Sequence, residues 1–587
     1  MSSVSDRCVL SDIDAYQDSF EAVDCVAHEV NSDLLALSNR IDSLSAGVDI
    51  FFLIFASIIM FTMQAGFAML CAGSVRKKNV QNTLMKNILD ACGCAVAFFV
   101  CGYAFAYGNT EVGIGNPNVV NSTRSTTFIG TDHFFLINFD DYSFWMYQYA
   151  FAATSTTIVA GTLAERSQMV AYFLYSIVLA GFVFPVVCHA VWSIDGLLNA
   201  FRANRLFDSG MVDFAGSGVV HVTGGITALI ATKILGPRSD RFHDERGRSL
   251  STPKTIQGYS VSLQALGTFL LWFGWYGFNI GSVHSISTEE YAKVAALSAL
   301  TTTLGAATGT IGALAASAFW AQKRTGEITF DVTYALNGCL SGLVGITASC
   351  ALVEPWAALV IGFTSGIIYI VASHALLHWQ IDDAVDAIPV HLFNGIWGVL
   401  AVGLFASPRR MEAVYGRSDH VGWFYSWGQQ SGDATLLAAN MVGLLLIMGF
   451  VTAIMLPFFF FLQYMGWFRS DPLEEIVGLD LRYKGFTDHA HKPIAHGHVA
   501  HPNDLLRVRH EVEEEENDDD LAIVDDDIDI GLAGHNHEHV VNNGPSIVLE
   551  EQMNARYNEY EENGQYLASE EYFVSDDELD QSMRKHP

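Results

Sequence analysis

The chain has 587 residues, 51% of them hydrophobic and only 16% charged, with a formal net charge of −32. A water-soluble protein of this length would divide into several domains and carry far more surface charge, so the composition excludes an ordinary soluble enzyme. The acidity sits in the tails: residues 511–587 hold 24 acidic and 3 basic side chains, and residues 1–46 hold 9 and 2. The charge therefore marks solvated segments, and no nucleic acid is expected as a partner.

In chain order, residues 1–46 form an N-terminal arm with Cys8 and Cys25 and without the apolar core of a cleavable signal peptide. Eleven hydrophobic windows follow, at 48–72, 86–107, 144–163, 168–190, 214–235, 257–280, 292–320, 332–352, 356–378, 388–407 and 435–464. Each approaches the roughly 20 residues that cross about 30 Å of hydrocarbon. The expected fold is an all-α polytopic membrane protein with eleven transmembrane helices and the bilayer as its solvent.

Basic residues set the expected orientation. "SVRKKN" (74–79), "KILGPRSDRFHDERGRSLSTPK" (233–254) and "QKRTGE" (322–327) follow the first, fifth and seventh windows, so they share one side if the spans alternate. By the positive-inside rule that side is cytoplasmic, which puts the N-terminus out and the C-terminus in. Arg409, Arg410 and Arg417 run against the rule. Asn121, in an "NST" sequon between spans two and three, falls outside and is a glycosylation candidate. Cys8 and Cys25 lie outside too, where oxidation is allowed. Cys71, Cys92, Cys94, Cys101, Cys188, Cys339 and Cys350 lie in or near spans without metal-ligand spacing and read as packing residues.

Spans five and ten share a pattern. Asp213 and Asp383 are each followed eight residues later by a histidine, His221 and His391, and four residues beyond each comes Gly-Ile. Five spans separate the two segments, and a fold repeated after an odd number of spans is repeated upside down. The chain thus reads as a 5+5 inverted repeat plus one extra helix, with its working site where the halves meet.

An ionisable ring at bilayer depth is costly and serves a pathway or a partner. Neutral imidazole offers one donor and one acceptor, so two such rings suit a very small polar solute in a dry pore. Asp213 reads as the cap of its helix. Trp192 and the stretch "WYGFNIGS" (275–282) offer ring faces and a hydroxyl for a small cation. A metal site is not expected, because neither histidine has a second ligand one helical turn away. No cofactor motif is present, and neither is a P-loop. Beyond the last span, 467–486 reads as a short ordered cytoplasmic segment. Residues 487–587 read as a His-rich and then acidic disordered tail, a docking segment for regulatory proteins.

These segments carry a resemblance. "DFAGSGVVHVTGGI" (213–226), "DDAVDAIPVHLFNGIWG" (382–398), "LAERSQMVAYFLYSIVLAGFVFPVVCHAVWSIDG" (163–196) and "WFGWYGFNIGS" (272–282) resemble landmarks of the ammonium transporter family (Amt/Mep, related to the Rhesus proteins). The likeness runs over about 47–486 and is densest to plant-type members. It implies a non-enzymatic, plasma-membrane homotrimer with one pore per subunit, moving ammonium or ammonia and, as a further substrate, methylammonium. Trp192 and Ser282 would form the outer ammonium site and Phe278 the gate beneath it. Asp213 would serve binding or fold, His221 and His391 would line the pore, Trp275 would pack beside it and Asp386 would be the inner acid. Ammonium would lose its proton, cross as ammonia and leave the proton to move separately. An electroneutral ammonia channel and an ammonium sensor signalling through the tail are the alternatives.

The chain departs from the family at several points. Bacterial members have a second gate phenylalanine four residues past the one matching Phe151; here Ser155 stands there, so a stacked double gate is not expected. "GLDLRYKG" (478–485) resembles the family's regulatory stretch, with Gly478 and Asp480 in place. The threonine phosphorylated in plant-type relatives is replaced by Arg482 and the usual histidine by Lys484, leaving Thr487 as the nearest substitute. The N-terminal cysteines resemble those that support the trimer in plant-type relatives, with pairing within or between subunits left open.

Overall fold

The structure, a computed structural model, describes residues 18–108, 126–244 and 247–480. All lie within the first of the chain's two units, Met1–Glu513. Each hydrophobic window becomes a helix: α1 (Asp18–Ser74), α2 (Lys77–Tyr107), α3 (Tyr142–Thr162), α4 (Met169–Trp192), α5 (Ser217–Leu235) and α6 (Val261–Gly281). The series continues with α7 (Glu289–Thr325), α8 (Val332–Thr347), α9 (Pro355–His378), α10 (Ile388–Phe405) and α11 (Thr435–Tyr464). No strand occurs among the described residues, only isolated bridges.

Eight of these helices are long and apolar enough to cross a membrane: all except α3, α6 and α8. The physical reason differs for each of the three. Helix α8 is short, at 16 residues. Helix α3 carries Ser, Thr, Gln and Tyr because nearly all of it is buried against other helices rather than lipid. Helix α6 is interrupted by glycines that let α1 approach closely along its length. Helices α7, α8 and α9 pack on one another by the same device; a Cβ on Gly309 would lie 2.5 Å from the Gly338 carbonyl oxygen. This is a polytopic membrane protein.

Starts are set locally. Asp141, Ser260, Thr288 and Asp331 each accept a hydrogen bond from a first-turn N–H of α3, α6, α7 and α8, and Pro355 opens α9. Four helices contain a π-helical stretch: Phe98–Gly102 in α2, Leu179–Val183 in α4, Ser217–Val222 in α5 and Ile388–Phe393 in α10. Such stretches recur at functional positions, and the last two contain the paired histidines.

One end of the bundle is closed by ions. Arg76, after α1, donates through Nε to Glu165, after α3, at 2.6 Å. Arg238, after α5, donates through Nε and Nη2 to Asp382, before α10, at 2.8 and 2.9 Å, and its Nη1 lies 3.3 Å from Glu165. Burial alone would raise both carboxyls, but Arg238, joined by Arg76 at Glu165 and by Arg166 at Asp382, outweighs it and holds them below the ordinary carboxylate range. The segment after α11 is stitched to the same end. Arg469 pairs with Glu475 at 2.8 Å, and Glu475 accepts from the Ser239 N–H at 2.6 Å.

Gly478 and Asp480 finish this lock. The Asp480 carboxylate accepts the N–H groups of Gln81 and Asn82 at 2.9 and 2.7 Å, so an anion some 400 positions away satisfies the first turn of α2. Gly478 has φ +109, and a Cβ there would meet the Lys78 side chain at 2.6 Å. Arg482 and Thr487 lie outside the described residues, as do Asn121, Cys8 and the acidic tail; Cys25 falls in α1, where its side chain is not described.

Candidate functional site

The two histidines meet. His221 Nδ1 lies 3.2 Å from His391 Nδ1, and the rings are nearly parallel with centroids 5.2 Å apart. Both are buried. With the two Nδ1 atoms facing each other, one must donate and the other accept, so the neutral pair shares a single hydrogen. No described carboxylate pairs with either ring, and His221 Nε2 is buried without a partner. The pair thus carries unused hydrogen-bonding capacity in an otherwise apolar place.

The matching sequence pattern is explained by how α5 and α10 cross. A Cβ on Gly225 would sit 2.6 Å from the Leu392 N, directly after His391. A Cβ on Gly395 would sit 2.7 Å from the Ser217 carbonyl oxygen and 3.2 Å from the Val222 N, directly after His221. Each glycine four residues past one histidine therefore admits the backbone beside the other. The aspartates fix the two approaches. Asp213 accepts from the N–H groups of Gly216, Gly218 and Val219 at 2.9, 2.8 and 2.9 Å. It caps the helix as expected, although the residue at the cap position itself is Gly216.

From this pair a file of rings leads towards the other end of the bundle. Phe278 stacks on His221 at 5.5 Å, Phe151 meets Phe278 at 4.5 Å, and Trp192 meets Phe151 at 5.1 Å. Sequence reading did not expect two phenylalanines in series, because it looked for the second at Ser155. Phe151 and Phe278, from different helices, form an edge-to-face pair, while Ser155 donates to the Val220 carbonyl at 3.2 Å and braces the π-stretch of α5. Trp275 packs beside Phe278 at 5.7 Å and stacks on His221 at 5.1 Å, nearly parallel, with its Nε1 donating to Thr347 at 2.8 Å.

Above the phenylalanines a depression is lined by Trp192, Asp213, Phe214 and Ser282, among others. Trp192 Nε1 donates to the Asp213 carbonyl at 2.8 Å, which fixes the indole. Tyr147, which sequence reading missed, holds the floor: its hydroxyl donates to the Phe278 carbonyl at 2.8 Å and lies 3.3 Å from Ser282 Oγ. Beyond His391 a second cavity is lined by Phe67, Thr157, Asn337, Val385 and His391 itself. Asp386 accepts from Tyr369 and Ser373 at 2.9 and 3.0 Å near that mouth.

One buried acid went unnoticed in the sequence because a single aspartate does not interrupt an apolar window. Asp90 of α2 is fully buried, and Thr157 Oγ1 lies 2.9 Å both from its carboxylate and from Gln64 Oε1. Its partner Thr157 lines the second cavity. No group of three or more metal-ligating side chains is present among the described residues.

A bundle of apolar helices around a narrow file of rings with a polar depression at one end and a second cavity at the other defines a class: a membrane transporter or channel for a small solute. The sequence pattern of the Ammonium Transporter Family matches residues 50–488, and the chain belongs to that family. It is 40% identical over 463 residues to "Ammonium transporter 1 member 1" of Oryza sativa subsp. japonica, covering 77% of this chain and 88% of that one. It is 38% identical over 445 residues to "Ammonium transporter 3" of Dictyostelium discoideum, covering 75% and 93%. Among solved structures, one titled "Sensor Amt Protein" superposes with a TM-score of 0.62 at 28% identity, over 75% of this chain and 99% of that one. Saccharomyces cerevisiae Mep2, at 24% identity, shares the fold with a TM-score of 0.59 over 72% and 89%.

Proposed function

We propose that the protein carries ammonium across the plasma membrane, entering at the Trp192 end and leaving at the Arg238 end. The depression at Trp192, Ser282 and Asp213 receives the cation: an indole face and a hydroxyl replace part of its water, and the buried carboxylate of Asp213 supplies the favourable field. The Phe151–Phe278 pair gates the route, and no charged group lies among these rings to solvate an ion. Carrying the cation further would cost far more than carrying the neutral molecule. Ammonium therefore gives its proton to water in the depression, and ammonia passes the rings. His221 and His391 then offer it donor and acceptor atoms in turn. The proton moves separately, which makes uptake electrogenic.

The observation that carries this reading is the 3.2 Å approach of the two Nδ1 atoms within an otherwise apolar file. The reading takes the chain as eleven spans, N-terminus out and C-terminus in, built as a 5+5 inverted repeat plus α11 and assembled as a homotrimer. The Gly478–Asp480 segment regulates it from the inner face. Complementation of a yeast strain lacking its own ammonium uptake tests transport: growth on low ammonium is expected from the wild type, and no growth despite surface expression would overturn the reading. Voltage clamp in oocytes tests electrogenicity, since ammonia permeability without current would leave an electroneutral channel instead.

A further inference from the structure

Helix α1 is much longer than a span. Its 57 residues extend about 86 Å at 1.5 Å per residue, against about 30 Å of hydrocarbon. It leaves the bundle at Asp49, whose carboxylate is held by the N–H groups of Ile286 and Ser287 and the hydroxyls of Ser285 and Ser287, at 2.8–3.0 Å. Upstream of that clamp, Ala27, His28 and every side chain from Val30 to Leu44 are exposed. A solitary helix in water is marginal, and helices in proteins are stabilised mainly by burying an apolar face.

This segment has such a face. Val30, Leu34, Leu37, Ile41, Leu44 and Val48 follow one another at intervals of four, three, four, three and four, and each is 37–69% exposed. The alternation continues through Phe51 to Ile58, which gives four heptads in one phase. Serine, asparagine and single charges fill the flanking positions (Asp33, Ser38, Asn39, Arg40), with Leu35 the one large apolar residue beside the stripe. A stripe confined to two positions of the heptad is the seam of a coiled coil, narrower than the face a helix lays on a globular core.

We propose that residues 30–48 of α1 form a parallel coiled coil with the same helix of other copies of this chain, standing on the membrane at the N-terminal side. Copies in one bilayer share an orientation, and the membrane plane sets their register, so only the parallel, in-register pairing is available. Assembly through the bundles raises the local concentration of the helices and favours the pairing further. The membrane surface is a poorer occupant: α1 contains no proline and runs without interruption into the span, so it cannot lie flat. The pairing goes beyond the transport reading and does not depend on it.

The test uses the full-length chain in membranes, with Cys8 and Cys25 replaced by serine. Leu37→Cys places a thiol on the seam, and Asn39→Cys places one on the outward side, beyond the roughly 7 Å over which a disulfide closes. Under mild oxidation, covalent dimers on a non-reducing gel are expected several-fold more abundantly for Leu37→Cys than for Asn39→Cys. Equal linkage at both positions, or none at Leu37, overturns the proposal. Leu37→Asp with Leu44→Asp is expected to lower the temperature at which the detergent-solubilised oligomer dissociates, while ammonium uptake shows that the bundle still folds. An unchanged dissociation temperature also overturns it. A chain that links at Leu37 but never takes up ammonium would sink the transport reading and leave the coiled coil standing.

Discussion

Segments 213–235 and 383–405 use the same backbone device to opposite ends. In both, an aspartate accepts N–H groups ahead of a π-helical stretch: Asp213 takes three, and Asp383 takes those of Val385 and Ile388 at 3.3 and 2.7 Å. In both, the third residue after that aspartate has a positive φ, +106 at Gly216 and +57 at Asp386. There the likeness stops. Gly216 has no side chain, and Trp192 lies against it, 3.1 Å from where a Cβ would be. Its counterpart Asp386 instead presents a carboxylate to Tyr369 and Ser373. One position thus decides whether a mouth has an aromatic wall or an acid, while the histidine crossing between the mouths stays common to both.

The largest break is expected at the ionic lock, where Arg238, just past the first segment, meets Asp382, just before the second. Arg238→Met leaves Glu165 and Asp382 buried with fewer cations, and stability should fall by about 3–5 kcal/mol in thermal unfolding of the purified protein. The pH dependence should shift as well. In the wild type both carboxyls titrate below their ordinary values, so their contribution is present above about pH 4 and is lost only as pH falls through the lowered values. In the variant Arg76 still faces Glu165 and Arg241 still faces Asp382, so both carboxyls move up towards their ordinary values. The variant should therefore lose more stability than the wild type between pH 8 and pH 5. A variant that unfolds like the wild type at both values contradicts the lock.

The crossing comes next. Gly225→Ala and Gly395→Ala each push a methyl group into the other segment's backbone, and each should cost about 1–3 kcal/mol. Similar losses at the two sites are expected from thermal melts; a loss at only one would show that the crossing is not reciprocal. His221→Ala and His391→Ala remove one half of a shared hydrogen bond along the route. A loss of about 1.5 kcal/mol or more corresponds to at least about ten-fold in ammonium uptake. Initial-rate measurements in yeast check this, and two small effects would count against a histidine-lined route. At the other extreme, Cys8→Ser should leave uptake indistinguishable from the wild type in the same assay.

Much of the site was legible because its residues are anomalies in their surroundings. A histidine stands out in an apolar run, and the same spacing appearing twice pointed to a meeting of halves. Trp192 and the stretch 275–282 read as ring faces and a hydroxyl for a small cation, the family likeness gave Trp192, Ser282, Phe278 and Trp275 their separate roles, and all four lie around the same file of rings. Tyr147, Thr157 and Asp90 were missed because a tyrosine or threonine in a helix has no distinguishing pattern, and one acid does not break a window. The Phe151–Phe278 pair was missed because the second ring comes from another helix, which spacing along one helix cannot reveal.

Where the helices run can be read from residue order alone, since a bilayer admits only long apolar segments whose backbone groups are internally satisfied. Residue order also marked the two histidine segments as equivalent. Folding in three dimensions is what makes each glycine past a histidine receive the other segment's backbone, lets Asp480 cap a helix some 400 positions away, and brings two phenylalanines from different helices together. These are contacts between elements distant in the chain, fixed by close packing rather than by any local preference.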